Sequence, residues 1–266
     1  MKQTERKIVA IGGGENGRLK SDGTRHPYET GAMDREIIRI TGKDRPNFLL
    51  IAHSQMPERE EFYFKTMKDI YGGMYGCECK NLLAKDLRNE KTVTDMIEWA
   101  DIIYEGGGDT IRMLDLWHET GFDKVLYKAW GDGKVLCGVS AGANCWFETC
   151  NSDAYGLHFE GKESGMGKIN GLGFVRGHFT PHCNEEGRLP CTKEELKDSG
   201  LVGVAMSNCA AVEIIEDKYR LITSSPEAYG LKTYWHGDEY IEEAIDKSED
   251  FKELRELLEG SIYDRN

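Results

Sequence analysis

Apolar and polar positions along the first half of the chain keep switching between two periods. Short, largely apolar runs at Lys7–Ile11, Phe48–Ala52 and Ile102–Tyr104 are too brief for helices and show no polar alternation. Such runs predict strands covered on both faces. A weaker strand is expected around 80–84, and another at Val135, Leu136 and Cys137. Between the runs the apolar residues fall at helical spacing. A helix is predicted over 59–72 (Phe62, Phe64, Met67, Ile70), and others near 91–99 (Val93, Met96, Ile97, Ala100), 110–118 (Ile111, Leu114, Trp117) and 122–130. Strands alternating with helices predict an α/β fold, a mostly parallel sheet with helices on both faces.

The second half reads differently. Residues 151–192 are rich in Gly, Asn, Ser and charge and are expected to be loops able to carry site residues. Short antiparallel strands are expected at 201–206, 211–216, 219–223 and 238–243, with a terminal helix at about 249–259. Without repeats, low-complexity tracts or an obvious linker, the 266 residues are read as a single domain, 1–266.

The segment Val135-Leu136-Cys137-Gly138-Val139-Ser140-Ala141-Gly142 changes this outline into a chemical expectation. It is the G-x-S-x-G nucleophile elbow, a serine on a tight turn between strand and helix. The flanking glycines are required because a side chain on either would collide with adjacent backbone. The Ala141 amide would point to where an oxyanion develops, at the start of a helix whose dipole favours negative charge.

Charge and cysteine usage narrow the context. With 34 basic against 47 acidic residues the net charge is −13, which argues against nucleic acid or an anionic membrane as the main partner. No apolar run approaches a membrane span and no signal-peptide core precedes the first strand, so a cytoplasmic protein is expected. The eight cysteines include no C-x-x-C pair and read as reduced, mostly buried thiols; Cys77-Glu-Cys79 lacks the spacing of a structural zinc site. No metal or other cofactor is expected. A homodimer stays open, since surface Trp and Tyr residues can mark an interface.

A serine needs a base, and histidine is the usual one at neutral pH. His158, His178 and His182 all follow Ser140 in the loop-rich segment, and spacing alone does not separate them. Asp153, Glu160, Glu163, Glu185 and Glu186 are near enough in sequence to orient an imidazole. Gly106-Gly107-Gly108-Asp109-Thr110 is either a plain turn with a capping Asp or a source of a second oxyanion N–H. Gly12-Gly13-Gly14 lacks both G-x-G-x-x-G and a following Gly-Lys-Ser/Thr, so nucleotide binding there is discounted.

In order, Ile11-Gly12-Gly13-Gly14, Glu105-Gly106-Gly107-Gly108-Asp109-Thr110, Gly138-Val139-Ser140-Ala141-Gly142-Ala143 and Pro181-His182 resemble peptidase family S51 over residues 7–225 or so. That family contains dipeptidase E and cyanophycinase. The resemblance implies a fold like class I glutamine amidotransferases, with serine in place of cysteine. It further implies metal-free hydrolysis of short peptides with an N-terminal Asp or a β-aspartyl link. Carried over by position, Ser140 is the nucleophile, His182 the base and Asp153 the acidic member, with Gly108 and Ala141 giving oxyanion amides. Arg188 is a candidate for pairing with a substrate carboxylate, and Asp109 is assigned to substrate binding beside it. The chain departs from the family pattern at Asp109 (often Asn), at Cys183 (an aromatic) and at Ser207-Asn208-Cys209, where many relatives carry an acidic residue and glycine. The expected activity is a serine peptidase on dipeptides or short peptides. The alternatives are an esterase or amidase, or a catalytically silent binding protein of the same fold.

Overall fold

A computed structural model describes residues 4–159 and 165–260. Its strands are β1 (Lys7–Ile11), β2 (Asn47–Leu50), β3 (Glu78–Asn81), β4 (Ile102–Glu105), β5 (Val135–Val139), β6 (Phe147–Ser152) and β7 (Gly167–Asn170). They continue with β8 (Val175–Thr180), β9 (Gly203–Met206), β10 (Ala210–Ile215), β11 (Lys218–Thr223), β12 (Gly230–His236), β13 (Glu239–Ala244) and β14 (Lys252–Glu253). An eight-stranded sheet has the order β14-β11-β10-β1-β5-β4-β2-β3, and a six-stranded sheet the order β13-β12-β9-β8-β6-β7. In the first, β1, β5, β4, β2 and β3 are mutually parallel, while β10, β11 and β14 extend it antiparallel beyond β1.

The apolar runs form strands because both of their faces are covered. Ile8, Ala10, Leu49, Ile103 and Leu136 enter one core cluster with Val93, Met113, Trp117 and Leu126 from the helices Glu90–Trp99, Thr110–Thr120 and Phe122–Gly131. Their immediate neighbours Val9, Ile11, Phe48, Leu50, Ile102, Val135 and Cys137 enter the other, against Met33, Ile37 and Met67 from Gly31–Arg39 and Pro57–Met67. Side chains alternate across a strand, so a run without polar residues demands cover on both sides. The expected α/β architecture, with helices on both faces, is therefore the observed one.

The second half departs from expectation. Residues 151–192 are not mainly loop: β6 runs into them, β7 and β8 lie within them, and the helix Arg188–Leu196 begins there. With β9, β12 and β13 they build a second sheet whose β6, β8 and β9 are parallel. Polar residues in these strands hid them, because Thr149, Asn151 and His178 are buried against polar partners rather than exposed. The helix Gly31–Arg39 and the strand β12 were also not anticipated, and the terminal helix shortens to Leu254–Leu258 behind β14. Glu160 and Glu163 lie outside the described residues.

Candidate active site

Ligand sites in parallel sheets lie beyond the carboxyl ends of the strands. Three adjacent strands end together here: Ile11 pairs with Val139, and Gly138 with Glu105. Past those ends come Gly12-Gly13-Gly14, Ser140 and Gly106-Gly107-Gly108. The second sheet brings up the ends of β8 and β9, which lie in register with Thr180 opposite Ala205. Two residues after Thr180 comes His182; three after Ala205 comes Asn208.

Ser140 sits at φ 54°, ψ −113°, between β5 and the short helix Ala141–Asn144. Few non-glycine residues adopt this conformation, and holding it costs on the order of 1–3 kcal/mol. Its amide donates to the Ile11 carbonyl at 3.0 Å. Both elbow glycines are sterically obligatory. A Cβ on Gly138 would stand 2.6 Å from the Glu105 carbonyl oxygen, and one on Gly142 would lie 2.8 Å from that of Gly106 and closer still to Glu105. As the first residue of its helix, Ala141 has an amide without an intrahelical acceptor.

The early glycine triplet lets the two sheets meet. A Cβ on Gly12 would stand 2.5 Å from the carbonyl oxygens of Met206 and Ser207, and one on Gly13 would overlap His182 and Asn208. His182 donates its amide to Gly12 O at 3.1 Å, and Cys209 donates to Gly13 O at 3.0 Å. This triplet therefore packs against His182 and Asn208, with no room left there to hold a phosphate.

Ser140 and His182 share one cleft of about 350 Å³, lined also by Gly107, Tyr63, Glu15, Glu29, Glu185 and Asn208. His182 Nδ1 lies 2.6 Å from Asn208 Oδ1. The Asn208 Nδ2 amide donates to Glu185 Oε1 at 3.4 Å, which turns Oδ1 toward the imidazole. Nδ1 therefore carries the proton, and Nε2 is the free basic nitrogen.

The rim opposite is built on Glu105. Buried completely, its carboxyl accepts from the amides of His53 (3.2 Å) and Ser54 (3.1 Å), and burial pushes its pKa well above the usual carboxylate range. Ser54 Oγ donates to Gly106 O at 3.0 Å, Gln55 Nε2 donates to Gly107 O, and the Asp109 amide donates to Ser54 O at 2.9 Å. These bonds fix the second glycine triplet. Gly107 faces Ser140, with its Cβ direction ending 3.5 Å from the Ser140 Cβ. Gly108, at φ 151°, presses its α-carbon against the Ser54 carbonyl, a fit only glycine allows.

Three residues expected at the site lie elsewhere. Asp153 Oδ2 accepts from Arg188 Nη2 at 3.2 Å, and Arg188 Nη1 donates to Asn151 Oδ1 at 3.1 Å. Arg188 is buried with Asn151 while Asp153 is exposed, and neither Arg188 nor Asp153 lines the cleft of Ser140. Asp153 therefore does not orient His182, and Arg188 is not free to take a substrate carboxylate. Asp109 caps the helix Thr110–Thr120, accepting from the amides of Ile111 and Arg112, and its other oxygen lies 2.7 Å from His158 Nε2. Of the other candidate bases, His178 is buried between Thr149 and Glu195. Asn208 escaped the sequence reading as a partner of His182, since only the β8–β9 pairing reveals it.

None of the eight cysteines is in a disulfide, and burial raises the thiols of Cys77, Cys79, Cys137, Cys145, Cys150, Cys183 and Cys209, that of Cys183 to about 12. Among the described residues no group of three or more His, Cys, Asp or Glu is arranged to hold a metal ion, and no helix is long and apolar enough to cross a membrane.

Comparison with known proteins matches residues 19–222 to the model of peptidase family S51. An uncharacterized peptidase, YgaJ, of Bacillus subtilis (strain 168) is 29% identical over 233 residues, covering 86% of this chain and 91% of that protein. Among solved structures, a peptidase from an acI-B1 Actinobacterium superposes with a TM-score of 0.68 at 18% identity, over 94% of this chain and 98% of the other. A putative peptidase E protein from Listeria monocytogenes EGD-e gives 0.57 at 17% identity, over 83% and 100%.

Proposed function

We propose that this chain, which belongs to peptidase family S51 and is a peptidase, works by serine catalysis on short peptides carrying an acidic N-terminal residue or a β-aspartyl link. The observation that carries the reading is Ser140, held at positive φ between two glycines that tolerate no side chain, in one cleft with a His182 whose Nε2 is free. Ser140 Oγ attacks the scissile carbonyl carbon while His182 Nε2 takes its proton. The oxyanion forms against the Ala141 amide and the Gly106–Gly108 rim, with Gly108 N–H as second donor. His182 then protonates the leaving amine as the C–N bond breaks, and water repeats the sequence on the acyl-serine.

Acidic substrates are favoured by a second cavity of about 660 Å³ that shares Asn16, Arg18 and Tyr63 with the cleft. Arg18, Lys20, His26 and Arg59 line it, and no carboxylate does. Arg18 is engaged by Glu15, but Lys20 and Arg59 have no ion-pair partner among the described residues. Eight cysteines without a disulfide, five of them buried, fit a reducing cytoplasm.

The test is release of free amino acid from Asp-X, Glu-X, β-Asp-X and neutral dipeptides by wild type and Ser140→Ala. Cleavage confined to the acidic substrates, falling by about 10⁶ in kcat without the serine, is expected. Undiminished rates in Ser140→Ala refute the serine mechanism, and equal cleavage of neutral dipeptides refutes the substrate class.

A further inference from the structure

The imidazole of His182 rests on a neutral amide where a serine peptidase ordinarily places a carboxylate. An amide fixes the tautomer but does little for the charge that His182 acquires when it takes the serine proton. A carboxylate stands immediately behind it. Glu185 Oε1 accepts from Asn208 Nδ2 at 3.4 Å and itself lies 3.4 Å from His182 Nδ1. The turn that sets this distance is fixed by its own backbone, the Glu185 amide donating to His182 O at 2.8 Å. Asn208 is held in turn by the Asn184 side chain, whose Oδ1 accepts its amide at 2.8 Å.

We infer that Glu185 is the positioning residue that supplies the missing negative charge, acting on His182 both through Asn208 and directly, in the serine chemistry proposed above. His182 donates Nδ1–H to Asn208 Oδ1, Asn208 donates Nδ2–H to Glu185, and the imidazolium formed during attack is paired with a carboxylate at the second remove.

The neighbouring groups leave Glu185 this role. Glu15 is engaged by Arg18 (3.0 Å) and His26 (3.1 Å), and Glu29 Oε2 accepts the Glu15 amide at 2.9 Å. Burial raises the Tyr63 and Tyr104 hydroxyls and the Cys183 and Cys209 thiols, and Tyr229 beside Cys183 is raised as well, so these stay neutral. Glu186, the adjacent carboxylate in the turn, makes no ion pair or hydrogen bond with His182 among the described residues. The Glu185 side chain is half exposed, so its effect is screened by salt, unlike that of a buried aspartate.

The test follows the pH dependence of Ser140 labelling by a small uncharged fluorophosphonate, which needs the base but has no peptide ammonium or carboxylate to engage Glu185. In wild type the acidic limb reports His182. Glu185→Gln is expected to move that limb to lower pH and to slow the plateau by about threefold or more, with the shift shrinking in 1 M NaCl. Asn208→Asp, which puts a carboxylate directly against Nδ1, is expected to move the limb higher. A limb unmoved by Glu185→Gln, with a plateau within twofold of wild type, overturns the inference while leaving the serine reading intact. Failure of folded wild type to label at Ser140 overturns both.

Discussion

Gly13 lies outside the elbow and carries no chemistry, yet its α-carbon sets where His182, the proposed base, can stand. A Cβ there would be 2.5 Å from His182 Cε1, and nearer still to Nδ1 and to Asn208 Oδ1, whereas real Cβ contacts stay beyond 3.0 Å. The imidazole must therefore withdraw by at least about 0.5 Å, and Asn208 by more. Both side chains border the cleft, so they can yield into it without unfolding the core. Misplacement of a catalytic group by about 1 Å costs on the order of 10²-fold. Gly13→Ala is thus expected to lower kcat/KM by about 10- to 100-fold, or roughly 1.4–2.7 kcal/mol of barrier. The thermal midpoint should stay within a few degrees of wild type, as expected of about 1 kcal/mol. The assay is kcat/KM on the best dipeptide of the panel, with fluorophosphonate labelling rate and calorimetry on the same preparation. Activity within threefold of wild type would refute the claim that this glycine positions His182.

Two further perturbations test other parts of the account. Ser140→Gly relieves the positive φ that Ser140→Ala retains, so denaturant unfolding should find the glycine variant more stable by about 1 kcal/mol, though both are inactive. Equal stability would show that the elbow stores no strain. His53 is fully buried, with Nδ1 accepting from Trp117 Nε1 at 2.9 Å and Nε2 bonded to the Leu82 carbonyl at 2.8 Å; burial lowers its pKa to about 4. The unfolded chain binds this proton near pH 6.5 and the folded one only near 4. His53 therefore contributes stability fully above about pH 6.5, and loses it progressively as pH falls toward 4. That amounts to about 2 kcal/mol by pH 5. A His53→Gln variant should show a correspondingly shallower loss of stability between pH 7 and 5, and an unchanged slope would contradict it.

What the sequence reveals and what it hides follow from where the determining contacts lie. The parallel half is legible because β1, β2, β4 and β5 are covered on both faces and their apolar runs have no other use. Ser140 is legible because its constraint is local: Gly138 and Gly142 are dictated by backbone atoms a few residues and one strand away. The second sheet is not, since β6 (Phe-Glu-Thr-Cys-Asn-Ser) and β8 (Val-Arg-Gly-His-Phe-Thr) bury polar side chains against each other and against Glu195. For the same reason Asp153 misled: it follows β6 in an acid-bearing segment, and only the fold turns it onto Arg188. The pairing of His182 with Asn208 spans 26 residues and depends on the alignment of β8 with β9, which no short motif encodes.

Ser140 and His182 stand at the ends of strands of different sheets, and the chain is made in an order that keeps them apart. When synthesis has passed Val139 the elbow exists in outline, but β1 still lacks β10, its neighbour on the far side from β5. When His182 has emerged, β9 has not, so nothing yet holds the imidazole. Only after residues 203–223 are added can β9 pair with β8 and β10 and β11 extend the first sheet beyond β1, and the link from β9 to β10 carries Asn208. The serine chemistry proposed above would therefore become possible late and all at once, as a report that the molecule is assembled. A ribosome-bound fragment, or a product cut short before β10, would carry the serine without being able to use it.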